Sequence, residues 1–158
     1  MKPAYRKGFG FGLTSGIITT LGIIIGLDSV THSKVAVIGG ILAIAIADSL
    51  SDALGIHISE ESVKNSHTKV WESTYSTAFF KFLFALLFII PILLLDLNTA
   101  ILINIAWGLA AIALYSYHLA KMFKRNRLGT IVEHTSIAIA VILITHYIGD
   151  LLILVGLQ

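Results

Sequence analysis

Apolar residues gather along this chain into five long blocks, at about residues 8–27, 34–57, 77–95, 99–123 and 128–154. Each is close to or beyond the ~20 residues that a helix needs to cross the hydrocarbon core of a bilayer. The pattern predicts an all-α integral membrane protein of five transmembrane helices. The connections between blocks are short except at about residues 57–76, where IHISEESVKNSHTKVWESTYS carries most of the soluble charge. That stretch is expected to be a short helical connection. No linker or shift of composition divides the chain, so residues 1–158 read as one membrane domain. Pro91 lies inside the third block and is expected to kink its helix or mark its outer third.

Composition excludes the soluble alternatives. The chain is 56% hydrophobic and 13% charged with a mean hydropathy of +0.90, whereas a soluble domain carries about 25% charge. Cysteine is absent, which removes disulfides, thiolate metal sites and cysteine nucleophiles. The few basic residues sit beside apolar segments, a placement that does not suit nucleic acid. The first apolar run, after MKPAYRKGFGFG, has no small-residue cleavage site behind it. It reads as a retained first helix, with a removed signal peptide as the other reading.

Lys and Arg set the expected orientation. With five crossings, the N-terminus and the second–third and fourth–fifth connections share one side. That side collects ten of the eleven basic residues, counting Lys81 near the inner end of helix three, and only Lys34 falls opposite. The positive-inside rule then places the N-terminus in the cytoplasm and the C-terminus outside, with the plasma membrane of a prokaryote as the expected location. Small residues at 12/16 and 22/26 in the first helix, and at 39, 40, 43, 45 and 47 in the second, suit close helix packing in lipid.

Against this apolar background two acids stand out. Asp48 and Asp52 are four residues apart, so they project from one face of one helix. Each ionised acid near the bilayer centre costs about 2.5–3.5 kcal/mol, roughly 6 kcal/mol for the two. Intramembrane acids mark ion or proton paths by default; the structural alternative is a pairing with a basic residue, for which Lys81 is the one intramembrane candidate. Lipid favours the protonated acids and a divalent cation favours the ionised pair, so metal and protons compete for the site. Below them His57 and Glu61 are also four apart and, with Glu60, form a candidate loading site of nitrogen and oxygen ligands for Fe²⁺ or Mn²⁺. A solvated turn with Glu60–Lys64 pairing is the bland alternative. His67 and Glu72 are weaker candidates in the same stretch. His118, Glu133 and His134 lie at the cytoplasmic ends of helices four and five as candidate path residues, although the helix dipole alone suits Glu133. His146 and Asp150 form either an outer site or an interfacial pair. No His-Glu-x-x-His run or Gly-x-Ser-x-Gly elbow points to an enzyme.

The stretch Gly12-Leu13-Thr14-Ser15-Gly16-Ile17-Ile18-Thr19-Thr20 and the stretch Ala47-Asp48-Ser49-Leu50-Ser51-Asp52-Ala53-Leu54-Gly55-Ile56-His57 together resemble the first two helices of the vacuolar iron transporter family. Phe82 to Pro91 and Thr145 to Gly149 resemble its third and fifth helices more generically. The resemblance implies export of Fe²⁺ or Mn²⁺ from the cytoplasm in exchange for protons, by a homodimer with its path near the subunit interface. The metal is then the substrate, and no organic cofactor is implied. Ser15 stands where the family has its first-helix acid, Asp52 where it has a Met, and His57 where it has a Tyr; the cytoplasmic metal-binding region is much shorter. The resemblance lifts Ser15 to a candidate path residue. A carboxylate in place of a thioether shifts preference toward harder cations. A non-transporting sensor or scaffold on the same fold is the second reading.

Overall fold

The chain was analysed as a computed structural model that describes residues 2–156, and among these there are helices and no strand. Helix α1 spans Pro3–Thr31, α2 Lys34–Ser62, α3 His67–Leu87, α4 Ile89–Leu94, α5 Leu97–Met122 and α6 Arg127–Leu154. α3 and α4 follow each other as one segment, which leaves five helical segments long and apolar enough to span a membrane. Short polar residues start three of them. The side chains of Ser33, Asp96 and Asn126 accept from the backbone N–H of Ala36, Thr99 and Gly129, donors that the first helical turn would otherwise leave unpaired.

The helices outrun the apolar blocks. α3 begins at His67, ten residues before its hydropathy rises. The stretch 57–76 is therefore the end of α2, a four-residue turn and the start of α3, not a separate connecting element. Hydropathy reports where a helix meets lipid, whereas the backbone ladder continues wherever tertiary packing supports it; Val70, Ser73 and Thr74 are all buried in this polar first part of α3. The expected disturbance near Pro91 appears three residues earlier, at Phe88. Its carbonyl accepts from Asn104 Nδ2 at 3.1 Å, and Trp107 Nε1 donates to Asn104 Oδ1 at 3.1 Å. Asn104 is fully buried in α5 and was not singled out from the sequence. A polar side chain from the neighbouring helix thus serves the Phe88 carbonyl, next to the Leu87 carbonyl for which Pro91 has no N–H.

α1 is the central helix, packed against α2, α3, α5 and α6. Its glycines determine how closely. A Cβ on Gly12 would lie 2.8 Å from the backbone nitrogen of Lys81, and one on Gly16 would lie 3.1 Å from the Lys81 carbonyl oxygen. Both glycines therefore seat the α3 backbone directly on α1 at Lys81. The second small pair faces elsewhere: Gly22 and Gly26 turn toward Val141 and Thr145 of α6.

One end of the bundle gathers the N-terminus and the turns at 63–66 and 123–126. Ion pairs tie it together: Lys2 with Glu72 and Lys7 with Glu60. Lys81 does not belong to this end. It lies inside the bundle, so nine basic residues rather than ten mark the charged end. At the opposite end Lys34 Nζ donates to the Leu95 carbonyl at 2.9 Å. The hydrogen bond from the Thr99 N–H, seconded by the Thr99 side chain, holds the Asp96 carboxyl below its ordinary 3.8. A depressed folded value contributes stability above the unfolded value and loses it as pH falls through the folded one. Relative to Asp96→Asn, which keeps an acceptor but does not titrate, the native chain is expected to lose thermal stability on going from about pH 6 to about pH 3. Equal pH slopes for the two proteins in detergent melts would show that this cap is not formed.

Candidate functional site

The close seat of α3 on Gly12 and Gly16 fixes where the Lys81 side chain starts. From there its ammonium reaches Asp48 Oδ2 at 2.6 Å, Asp52 Oδ2, and Ser15 Oγ at 2.9 Å. Ser15 Oγ in turn donates to Asp52 Oδ2 at 2.8 Å. Three helices meet in this cluster: α1 supplies Ser15, α2 both acids and α3 the lysine. Counting ~1.5 Å per residue, the four groups lie roughly 15–21 Å along their helices from the charged end.

This pairing is the structural alternative named for the two acids, with Lys81 as the partner. Lys81 is not at the inner end of its helix, because α3 starts ten residues before its apolar block and carries Lys81 more than halfway along. The signal available in the sequence was a lone lysine among PheLeuPhe and PhePhe neighbours. An ammonium is tolerated in such surroundings only when it is paired.

Burial is uneven. The Lys81 side chain is 2% exposed, whereas those of Asp48 and Asp52 are 32% and 23% exposed. The charges do not cancel. By formal charge, two carboxylates and one ammonium leave −1.

The second candidate group separates. His57 Nε2 lies 3.4 Å from Glu61 Oε1. Its Nδ1 meets Thr74 Oγ1 at 3.0 Å. The Thr74 hydroxyl also donates to the Val70 carbonyl at 2.8 Å. Glu60 turns the other way, buried against Lys7, with Asn65 Nδ2 donating to Oε2 at 2.7 Å. The structure therefore does not bring Glu60 to His57 and Glu61. Glu72 is taken by Lys2, whose ammonium it holds above its ordinary range by hydrogen bond and charge, and His67 accepts from Trp71 Nε1 at 3.0 Å. Among the described residues no three His, Asp or Glu side chains converge at metal-binding distances.

The remaining path candidates are dispersed. His134 Nδ1 meets Ser116 Oγ at 2.8 Å, Glu133 is exposed at the charged end, and His118 is exposed on α5. None of them approaches the Lys81 cluster, which is built from α1, α2 and α3 alone. His146 and Asp150 are 3.6 Å apart and both largely exposed at the other end.

No protein-family model, no curated protein and no solved structure matches this chain. The likeness to the vacuolar iron transporter family therefore rests on the helix-one and helix-two stretches quoted above; three of their residues, Ser15, Asp48 and Asp52, belong to the cluster, and of these Ser15 and Asp52 depart from the family pattern.

Proposed function

We propose that this chain is a multi-pass membrane transporter that exports a divalent metal, Fe²⁺ or Mn²⁺, in exchange for protons at the Asp48–Asp52–Lys81–Ser15 cluster. The observation that carries the reading is the unbalanced formal charge of the cluster, two partly exposed acids against one buried ammonium. Neutrality can be reached in two ways. In the proton-loaded state one acid is protonated while the other faces the ammonium. In the metal-loaded state a dication faces both carboxylates and Lys81 has given up its proton. Passing from the first state to the second releases two protons for each M²⁺ bound, so the charge balances at every step. Lysine suits this role because its ammonium is a compact charge on a flexible stem that deprotonates when its surroundings require it. Ser15, within reach of both Lys81 and Asp52, holds the lysine in place while the charge changes hands.

The charged end takes the cytoplasmic side by the positive-inside rule. A homodimer is supported by the outer face of α2, where Gly39, Ala43, Ala47, Ser51 and Gly55 recur every four residues and are all exposed. Small residues at this spacing let a second helix approach closely in lipid. The same approach would cover the exposed edges of Asp48 and Asp52.

Proteoliposomes loaded with a metal-quenched dye and a pH indicator test the reading. Expected is Mn²⁺ flux with about two protons moved in the opposite direction per ion, and its loss in Asp52→Asn. One proton per Mn²⁺ would leave a net positive charge moved with each ion and would overturn the neutral two-proton exchange. Metal binding with no flux would support the second reading, a membrane sensor or scaffold. One observation favours that reading: Lys81 already partners both acids, so the triad can serve as a fixed interhelical tie.

A further inference from the structure

α3 carries one column of side chains at i, i+4 spacing toward the α1–α2 seam: Ser73, Thr77, Lys81 and Ala85, all buried. Lys81 heads the polar part of that column, and the two hydroxyls below it are unusual. A helical Ser or Thr ordinarily satisfies its hydroxyl by donating back to a carbonyl one turn earlier. Their neighbours do this, Thr74 to Val70 at 2.8 Å and Ser76 to Ser73 at 3.0 Å. Ser73 Oγ and Thr77 Oγ1 do not, and among the described residues neither has a hydrogen-bond partner although they are 1% and 0% exposed. A buried hydroxyl left without a partner costs about 1–3 kcal/mol, and water is the usual remedy in polar interiors.

The column also has an open foot. A cavity of about 320 Å³ lies between the start of α1, the end of α2 and the start of α3, lined by Lys2, Lys7, Glu60, Lys69, Glu72 and Ser73 among others. Ser73 therefore belongs both to this charged vestibule and to the column. Thr77 stands ~6 Å further along the helix axis, and Lys81 another ~6 Å beyond. Each step is the span of one or two hydrogen-bonded waters.

We infer that Ser73 and Thr77 hold a chain of waters that connects the vestibule of Glu60 and Lys7 to the Lys81 ammonium, a proton route confined to the charged end of the bundle. The inference rests on the exchange reading only for what travels along the route; the hydration itself is a separate claim. Protons released when Lys81 or an acid is displaced leave by the Thr77 and Ser73 hydroxyls toward the Glu60 carboxylate. Beyond Lys81 the column continues as Ala85, which offers no hydrogen bond, so the route ends at the cluster.

The chain has no cysteine, so single replacements report water contact position by position. Ser73→Cys, Thr77→Cys and Ala85→Cys, each as the full chain in liposomes, are exposed to Ag⁺ and then alkylated after denaturation. Expected is protection of the first two at least about tenfold faster than of Ala85→Cys, since thiolate reactivity follows access to water. Protection of Thr77→Cys as slow as that of Ala85→Cys would overturn the inference, as would equal and rapid protection of all three. Should Thr77→Cys fail to assemble, water-edited solid-state NMR of the native protein decides instead. Rapid magnetisation transfer from water to Thr77 supports the route, and transfer as slow as to Ala85 refutes it. Hydrated positions 73 and 77 in a protein without metal flux would remove the transport reading and leave this one standing; flux with both positions dry would do the reverse.

Discussion

Lys81→Met is expected to destabilise the bundle by about 3–5 kcal/mol, the cost of leaving a buried charge without its partner. Two carboxylates would then face each other on one helix with a combined charge of −2 in place of −1, and Ser15 would be the only donor left to them. The compensating change is equally specific. Lys81→Met combined with Asp48→Asn and Asp52→Asn removes every charge from the cluster, and replacing a buried ion group by neutral groups of similar size is often neutral or stabilising. The triple variant should therefore melt at or above the native temperature in detergent and yet carry no metal. That combination separates the two readings of the site. A fixed interhelical tie loses nothing when the triple variant restores stability, whereas an exchange centre loses its function entirely. A single Lys81→Met protein as stable as the native one would mean that the acids do not depend on the ammonium, and the charge argument would fall.

Most of the architecture was legible from hydropathy, because a membrane span is a matter of length and apolarity, and five blocks of sufficient length admit few other interpretations. The acids Asp48 and Asp52 were legible for the same reason, as charges in a place that resists charge. Their partner was misplaced rather than unseen. Lys81 lies four residues into the apolar block but fourteen past the first residue of α3, and hydropathy cannot register the polar helix turns from His67 to Ser76 that carry it inward. The loading site failed on rotation. His57 and Glu61 are four apart and do share a face, but Glu60 is one residue from Glu61, about 100° around the helix, and Lys7 of α1 draws it to the inner side. Asn104 and the unpartnered hydroxyls of Ser73 and Thr77 carry no motif at all. Only the packing of neighbouring helices shows that they are buried.

The glycines of α1 give the second large effect. Gly12→Leu is expected to force α1 and α3 apart, because a Cβ there would lie 2.8 Å from the Lys81 backbone nitrogen and 3.0 Å from Phe80 Cβ. The Lys81 nitrogen belongs to a helix backbone that cannot swing aside, so overpacking at this point costs about 1–3 kcal/mol or more. It also withdraws the Lys81 ammonium from Ser15 on the same helix as the substitution. Both stability and exchange should fall together, read by detergent melting and by Mn²⁺ flux. Gly39→Leu provides the contrast, since nothing lies within 4 Å of a Cβ at that position on the outer face of α2. The isolated bundle has room for it and should melt unchanged, while a dimer built on that face should separate in cross-linking. If Gly12→Leu melts like the native protein, the helices are not in the close contact that positions Lys81. If Gly39→Leu cross-links as before, the second copy does not pack on the small-residue face of α2, and the partial exposure of Asp48 and Asp52 must be answered by lipid headgroups or water instead.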